Sequence, residues 1–279
     1  MNLIRFGAKG EEKPGLIKDG RIVDLRAHFP EIPDIGEDFF TGGWLEKAAR
    51  IDDPGDRLTV RLGCPVDRPS KIICLGKNYA EHAKEGGFER PEKPLLFCKT
   101  PNTLNGPYDP ILLPLSSDQI DWEVELAVVI GRTVRRVGQK DALDYIAGAT
   151  ILNDVSGRDA QFSESQWFRG KSFDTFAPMG PAIVTLDEIG DLQNLNLTAR
   201  VNDQIMQDGH TADMIFDIAY LMEYISQDIT LQPGDVISTG TPAGVGIFRD
   251  PPITLKAGDV VECSIEKIGT IKNNCLAAD

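Results

Sequence analysis

The chain has 279 residues, with 29 Lys and Arg against 43 Asp and Glu, a formal net charge of −14. Hydrophobic residues at 41% and charged residues at 26% are ordinary globular proportions, which excludes a dominantly disordered chain. An acidic chain is a poor match for nucleic acid or an anionic membrane surface, and no apolar run approaches the roughly 20 residues of a spanning helix. Met1 to Phe6 runs on to Glu11-Glu12 with no apolar secretion segment, so a cytoplasmic protein is expected. The five cysteines lie far apart with no CxxC pair, and free, mostly buried thiols are expected rather than a zinc site or a disulfide framework.

In chain order, Leu16 to Val23 sets two apolar pairs around Asp19-Gly20, the dipeptide of a tight hairpin. Asp52 to Pro69 carries Pro54, Gly55, Gly63, Pro65 and Pro69 among charges and reads as a passage between units. Residues 1–68 are therefore expected to form a small β-rich N-terminal domain and residues 69–279 the main domain. Lys71 to Leu75 reads as a strand, and Glu123 to Ile130 as a longer one, apolar enough at Leu126 to Ile130 to be buried on both faces. Gln139 to Ala147 reads as helical, and Ala149 to Leu152 as a strand ending at Asn153-Asp154. Leu197 to Ile205 reads as a hairpin turning at Asn202-Asp203. The spacing of Ile215, Ile218, Ala219, Met222 and Ile225 predicts a helix over Met214 to Gln227, capped by Asp213. Gly234-Asp235 and Gly258-Asp259 each read as a turn feeding a strand. Strands and helices do not alternate, so the fold class is mainly β (α+β), a closed or sandwich-like structure with peripheral helices rather than a doubly wound sheet.

Four segments carry candidate chemistry. In a strand Asp121, Glu123 and Glu125 share one face, and carboxylates leading into a buried strand need a cation. An all-oxygen set suits Mg²⁺ or Mn²⁺, and Asp154 at the end of a later strand is a third carboxylate. After Asp154, Arg158 and Gln161 lie at helical spacing, and Lys171 follows. His82 and Glu85 are spaced i, i+3, so the carboxylate can orient the imidazole as a general base. Gly86-Gly87 beyond them can let the segment move. Ser238 to Gly246 is glycine-rich but lacks the Lys of a nucleotide loop; it can offer N–H groups and the Thr241 hydroxyl to a carboxylate. Lys77, Lys99 and Lys171 are further candidate cations.

Five blocks together resemble the fumarylacetoacetate hydrolase family. They are Asn-Tyr-x-x-His-Ala-x-Glu at 78–85, Glu-x-Glu-Leu at 123–126 and Asn-Asp-Val-Ser-x-Arg-Asp-x-Gln at 153–161. Gly-Lys-Ser-Phe-Asp-Thr at 170–175 and the Gly234 to Gly246 block complete the set. The resemblance implies a mixed β-sandwich or roll. It implies that Glu123, Glu125 and Asp154 hold one Mg²⁺ or Mn²⁺, that His82 and Glu85 activate water, and that Lys171 and Gln161 stabilise an oxyanion. Arg158, Thr241 and Lys99 are then substrate-binding candidates, Thr241 for a carboxylate. The extra Asp ligand of the tyrosine-degrading members is absent, because Leu75 stands seven residues before His82. The implied reaction is therefore hydrolysis of a C–C bond in a 2,4-dioxo acid of the acylpyruvate, fumarylpyruvate or diketo-deoxy sugar acid type, releasing pyruvate or a related 2-keto acid. The alternatives are an oxaloacetate decarboxylase or keto–enol tautomerase on the same metal site, and a metal-dependent binder without turnover. The expected partner is a small 2-keto or 2,4-dioxo acid, and the expected assembly a homodimer.

Overall fold

The computed structural model describes residues 1–57 and 59–278. The Asp19-Gly20 turn forms as the sequence predicts. Both residues are left-handed, at φ 48° and 71°, and the turn joins strand Lys13–Lys18 to Arg21–Asp24. Lys13–Lys18 pairs on its other side with Asn2–Phe6. That strand pairs in turn with Ala177–Val184, Asn2 lying opposite Val184. The change of texture near residue 68 is thus not a break in the sheet, because the first strands extend the one built by the rest of the chain.

From Ala177–Val184 the same sheet continues through Ile146–Asn153, Val124–Ile130, Val236–Ser238, Ile72–Gly76 and Leu95–Lys99. A second sheet runs Gln204–His210, Asn196–Val201, Val260–Ile265, Gly269–Ala277 and Ile111–Leu113. The period of a strand sorts the central one between two cores. Val124, Leu126, Val128 and Ile130 join a core shared with Leu197, Val261 and Ile271 of the second sheet. Ala127 and Val129 join another with Leu3, Leu16, Phe39 and Phe40 from the first sixty-odd residues. The architecture is the expected mainly β, sandwich-like one, with short helices at its margins.

Three elements differ from expectation. The predicted helix at 214–227 begins only at Ile218 and runs to Ser226, its first turn capped by Asp217, whose Oδ1 accepts from the Tyr220 N–H at 2.8 Å. Met214 to Phe216 are drawn out of it by Asn78: Ile215 N donates to the Asn78 carbonyl at 2.7 Å and Phe216 N to Asn78 Oδ1 at 2.9 Å. The helical segment expected at Gln139 to Ala147 is a 3₁₀ helix that ends at Tyr145, because the following strand starts earlier than expected, at Ile146. The central strand starts at Val124, so Glu123 sits just outside it.

Candidate metal centre

Register creates the carboxylate cluster. Val124 lies opposite Asn153 and Glu125 opposite Leu152, so one step outward sets Glu123 beside Asp154. The Asp154 N–H closes that step by donating to the Glu123 carbonyl at 2.9 Å. Glu125 lies two residues along on the same face, and one oxygen from each of Glu123, Glu125 and Asp154 lies within 4.8 Å of the others. All three side chains are buried.

Two of the three carboxylates have protein cations. Lys171 Nζ donates to Glu123 Oε2 and to Asp154 Oδ2, both at 2.7 Å, and Lys99 Nζ donates to Asp154 Oδ1 at 2.6 Å. Arg158 Nη2 donates to Glu123 Oε1 at 2.6 Å. Burial pushes the Glu123 carboxyl up, but the charges of Lys171 and Arg158 prevail and hold it well below the usual range. Glu125 has no ion pair among the described residues; its Oε2 accepts only from Ser238 Oγ at 2.6 Å and Gly240 N at 2.9 Å. Burial and the negative charge of Asp154 and Glu123 push it well above the usual range. A buried carboxylate beside two others, with no cation of its own, is what the absence of a hard divalent ion would leave, so these residues fit one.

Asp121 does not join the cluster. Its side chain accepts from Arg158 Nε at 2.9 Å, Gly246 N at 2.7 Å and Ile247 N at 3.1 Å, fastening the glycine-rich loop to the strand. The reading that Asp121, Glu123 and Glu125 act together therefore holds for the last two only.

His82 and Glu85 sit on the helix Ala80–Glu85, with His82 Nδ1 2.9 Å from Glu85 Oε1. An ionised carboxylate only accepts, so Nδ1 carries the proton and Nε2 is left as the basic nitrogen. Both oxygens of Glu85 also accept from the Gly244 N–H, at 3.1 and 2.9 Å. Gly244 is left-handed at φ +108°, and a Cβ there would lie 2.1 Å from the Met206 carbonyl, so only glycine brings this N–H to Glu85.

One cleft is lined by His82, Glu123, Glu125, Arg158, Gln161, Lys171 and Thr241 together. Gln161 Oε1 accepts from Arg158 Nη1 at 2.9 Å, which leaves the Gln161 amide N–H groups for the cleft. Lys171 has used two of its three donors on carboxylates. Two expectations need correction. Lys99 does not line the cleft, and two of its three N–H donors go to Asp154 and to the Val155 carbonyl at 3.0 Å, so it holds Asp154 rather than substrate. The Thr241 hydroxyl donates its one proton to the Val124 carbonyl at 2.9 Å and accepts from Gln207 Nε2 at 2.8 Å. Only the main-chain N–H of Thr241 remains for a carboxylate. Arg158 does face the cleft, but three of its donors are bound to Asp121, Glu123 and Gln161.

Lys77, a candidate cation from sequence, lines the cleft, but sequence reasoning missed the aromatic wall of Phe88, Phe97, Phe162, Trp167 and Phe248. Phe88 and Phe248 meet edge to face at 6.0 Å, and Phe97 and Trp167 at 5.5 Å. It also missed Gln207, whose buried amide joins the second sheet to Val124 and Thr241. Nothing in the local pattern of these residues indicates which face they turn inward.

The fumarylacetoacetate (FAA) hydrolase C-terminal family profile matches residues 71–275. A mitochondrial oxaloacetate tautomerase of Bos taurus is 42% identical over 288 residues, covering 99% of this chain and 92% of that relative. Among solved structures, a fumarylacetoacetate hydrolase from Exiguobacterium antarcticum superposes with a TM-score of 0.85 at 39% identity, covering 100% of both chains. A maleylpyruvate hydrolase from a Sphingobium species does so with a TM-score of 0.80 at 31% identity, again covering 100% of both. The chain belongs to the fumarylacetoacetate hydrolase family. Its fold is that family's fold, and its buried acidic triad is a site able to hold a metal ion. No helix among the described residues is long and apolar enough to cross a membrane.

Proposed function

We propose that this chain is a Mg²⁺- or Mn²⁺-dependent enzyme of 2-oxo acid chemistry, and that its principal reaction is keto–enol interconversion of oxaloacetate. The observation that carries the reading is the buried triad with its unpaired Glu125, opening on a cleft where His82 is held as a base. The 42% identity to an oxaloacetate tautomerase supports the choice of reaction over the C–C hydrolysis expected first.

Glu123, Glu125 and Asp154 would hold the cation, with Lys171, Lys99 and Arg158 limiting their mutual repulsion. When bound, a divalent ion supplies positive charge that acidifies the C3–H of a 2-oxo acid and steadies the enolate oxygen. His82 Nε2 takes the C3 proton as the electron pair passes to the C2 oxygen, which takes a proton from solvent to give the enol; in the ketonising direction the enol O–H proton returns to solvent and the imidazolium delivers its proton to C3. Glu85 holds the imidazole in the tautomer that leaves Nε2 facing the substrate as the proton acceptor. Gln161 Nε2 and the remaining Lys171 N–H donate to oxygen atoms that gain negative charge. The aromatic wall excludes water that would otherwise screen these contacts.

The second reading is hydrolysis of an acylpyruvate or related 2,4-dioxo acid. The pairing of Gln161 and Lys171 donors favours it, because such a pair suits a tetrahedral oxyanion formed when His82-activated water attacks C4. Decarboxylation of oxaloacetate needs the same enolate stabilisation without the water. Binding without turnover leaves the His82–Glu85 pair without purpose. The deciding experiment follows enol-oxaloacetate loss by ultraviolet absorbance, and pyruvate release from oxaloacetate and acetylpyruvate, in Mn²⁺-loaded protein. Catalysed ketonisation that disappears in His82→Ala supports the first reading; pyruvate from acetylpyruvate alone moves the assignment to the second. We also propose a homodimer, which light scattering after gel filtration tests directly.

A further inference from the structure

Lys77 stands between the strand Ile72–Gly76 and the helix Ala80–Glu85, in the left-handed conformation at φ 58° that a residue with a side chain seldom adopts. The next residue enforces it. The Asn78 side chain donates to the Phe216 carbonyl at 3.1 Å and the Thr239 carbonyl at 2.8 Å while accepting from Phe216 N, so the backbone is pinned on two sides. The result turns Lys77 into the cleft, its ammonium 3.7 Å from the centre of the Phe88 ring.

Three Lys or Arg side chains line this cleft, and they are not equivalent. Arg158 and Lys171 are bound to carboxylates of the buried cluster, so their charge is already answered. Lys77 makes no ion pair among the described residues. Its ammonium lies over an aromatic face, a contact that keeps it in place without neutralising it. The triad is buried, whereas Lys77 is half-buried and Phe88 is 37% exposed, so within the one cleft the unanswered charge is nearer solvent than the carboxylates that would take the cation. The apolar rings of Phe88 and Phe248 beside it lower the local dielectric and strengthen any pairing with an anion.

We infer that Lys77 binds a second carboxylate of the substrate, at the end remote from the metal cluster, and so selects dicarboxylic over monocarboxylic 2-oxo acids. The inference rests on the proposed function for the orientation of the substrate, and it assigns the enzyme a substrate class with a carboxylate at each end. Lys77 is a specificity residue here, and the proton transfer at C3 stays with His82.

The test compares oxaloacetate with acetylpyruvate, a 2-oxo acid with one carboxylate, on Mn²⁺-loaded wild type, Lys77→Met and Lys77→Arg. Lys77→Met is expected to raise KM for oxaloacetate by roughly tenfold or more, with kcat held within about threefold, because one charge-assisted contact is lost from binding. KM for acetylpyruvate is expected to stay within about twofold, and Lys77→Arg to restore most of the oxaloacetate affinity. Equal changes for both substrates would show a merely structural role and overturn the inference, as would no change for either. Calorimetric titration of the same proteins separates the two readings. If wild type turns over neither substrate, the proposed function falls. Tighter binding of oxaloacetate than acetylpyruvate, lost in Lys77→Met, still supports Lys77 in that case, and equal binding refutes it.

Discussion

Two charged clusters are set into this sheet, one beneath the N-terminal strands and one at the end of Val124–Ile130, and they are balanced differently. In the first, Arg5 grips Asp34 with two prongs, Nε to Oδ1 at 2.8 Å and Nη2 to Oδ2 at 2.7 Å, and reaches Asp67 at 3.3 Å. Arg61 takes Asp109 Oδ1 at 2.9 Å and Glu12 Oε1 at 2.7 Å. Each of those carboxylates meets a guanidinium. In the second cluster Glu123 and Asp154 are paired and Glu125 is left over. Where every carboxylate touches a guanidinium the result is a seam that holds elements together, whereas a buried cluster in which one carboxylate touches no cation keeps an affinity for something not supplied by the chain.

The sharpest break between the two comes from chemistry. His82→Ala is expected to cost about 10²- to 10⁴-fold in turnover while calorimetry finds Mn²⁺ affinity unchanged, since the imidazole is a base and not a ligand. Glu123→Gln should abolish Mn²⁺ binding and activity together; a variant that stays fully active after chelation would remove the metal assignment. Arg5→Met should leave Mn²⁺ affinity intact but lower stability in urea by about 2–3 kcal/mol, less than for a wholly buried pair because Asp34 and Asp67 reach solvent.

Glu125→Gln should do the reverse. Above the pH at which folded Glu125 releases its proton, the substitution removes an uncompensated buried charge, so there the metal-free protein should melt roughly 2–5 °C higher while losing the rise in Tm that Mn²⁺ gives the wild type. The pH dependence carries opposite signs in the two clusters. Burial alone would raise Glu12, but its hydrogen bond from Arg61 and the nearby Arg5 hold it below the ordinary carboxylate range. Its stabilisation is present above about pH 4.5, the unfolded value, and is lost as pH falls through the lower folded value. Glu125 in the metal-free chain keeps its proton to a pH at which the unfolded chain has released it. Its contribution is full below about pH 4.5 and is lost as pH rises through the higher folded value. Melting curves with and without Mn²⁺ across that range should differ most at the alkaline end; an equal Mn²⁺ effect at every pH would mean that Glu125 is not the group being satisfied.

The parts of this molecule that were legible from sequence are those governed by near neighbours. Asp19-Gly20 and Asn202-Asp203 turn where expected because their left-handed residues are a local matter. The triad was legible because alternation places Glu123 and Glu125 on one face and the end of a strand marks Asp154. What failed depended on partners far along the chain. Lys99 was assigned to substrate, yet Asp154, 55 residues on, takes its ammonium. Thr241 was assigned a free hydroxyl, yet Val124 and Gln207 use both its proton and a lone pair. The helix expected at Met214 lost its first turn to Asn78, 138 residues earlier, because an amide that satisfies the Phe216 N–H offers the backbone an alternative to helical bonding. The aromatic rim had no periodicity at all, since it is assembled from loops, a strand carrying Phe97 and a short helix carrying Phe162, far apart along the chain.

Because Glu123 and Asp154 are brought together by strand register, a single inserted or deleted residue within Val124–Ile130 or Ile146–Asn153 would rotate one of them out of reach. Duplication and drift can therefore lengthen the rim segments around Phe88, Phe162 and Phe248 while the two strands keep their length. A library built to find new substrates for this scaffold should vary those rim positions and leave the spacing of the paired strands untouched.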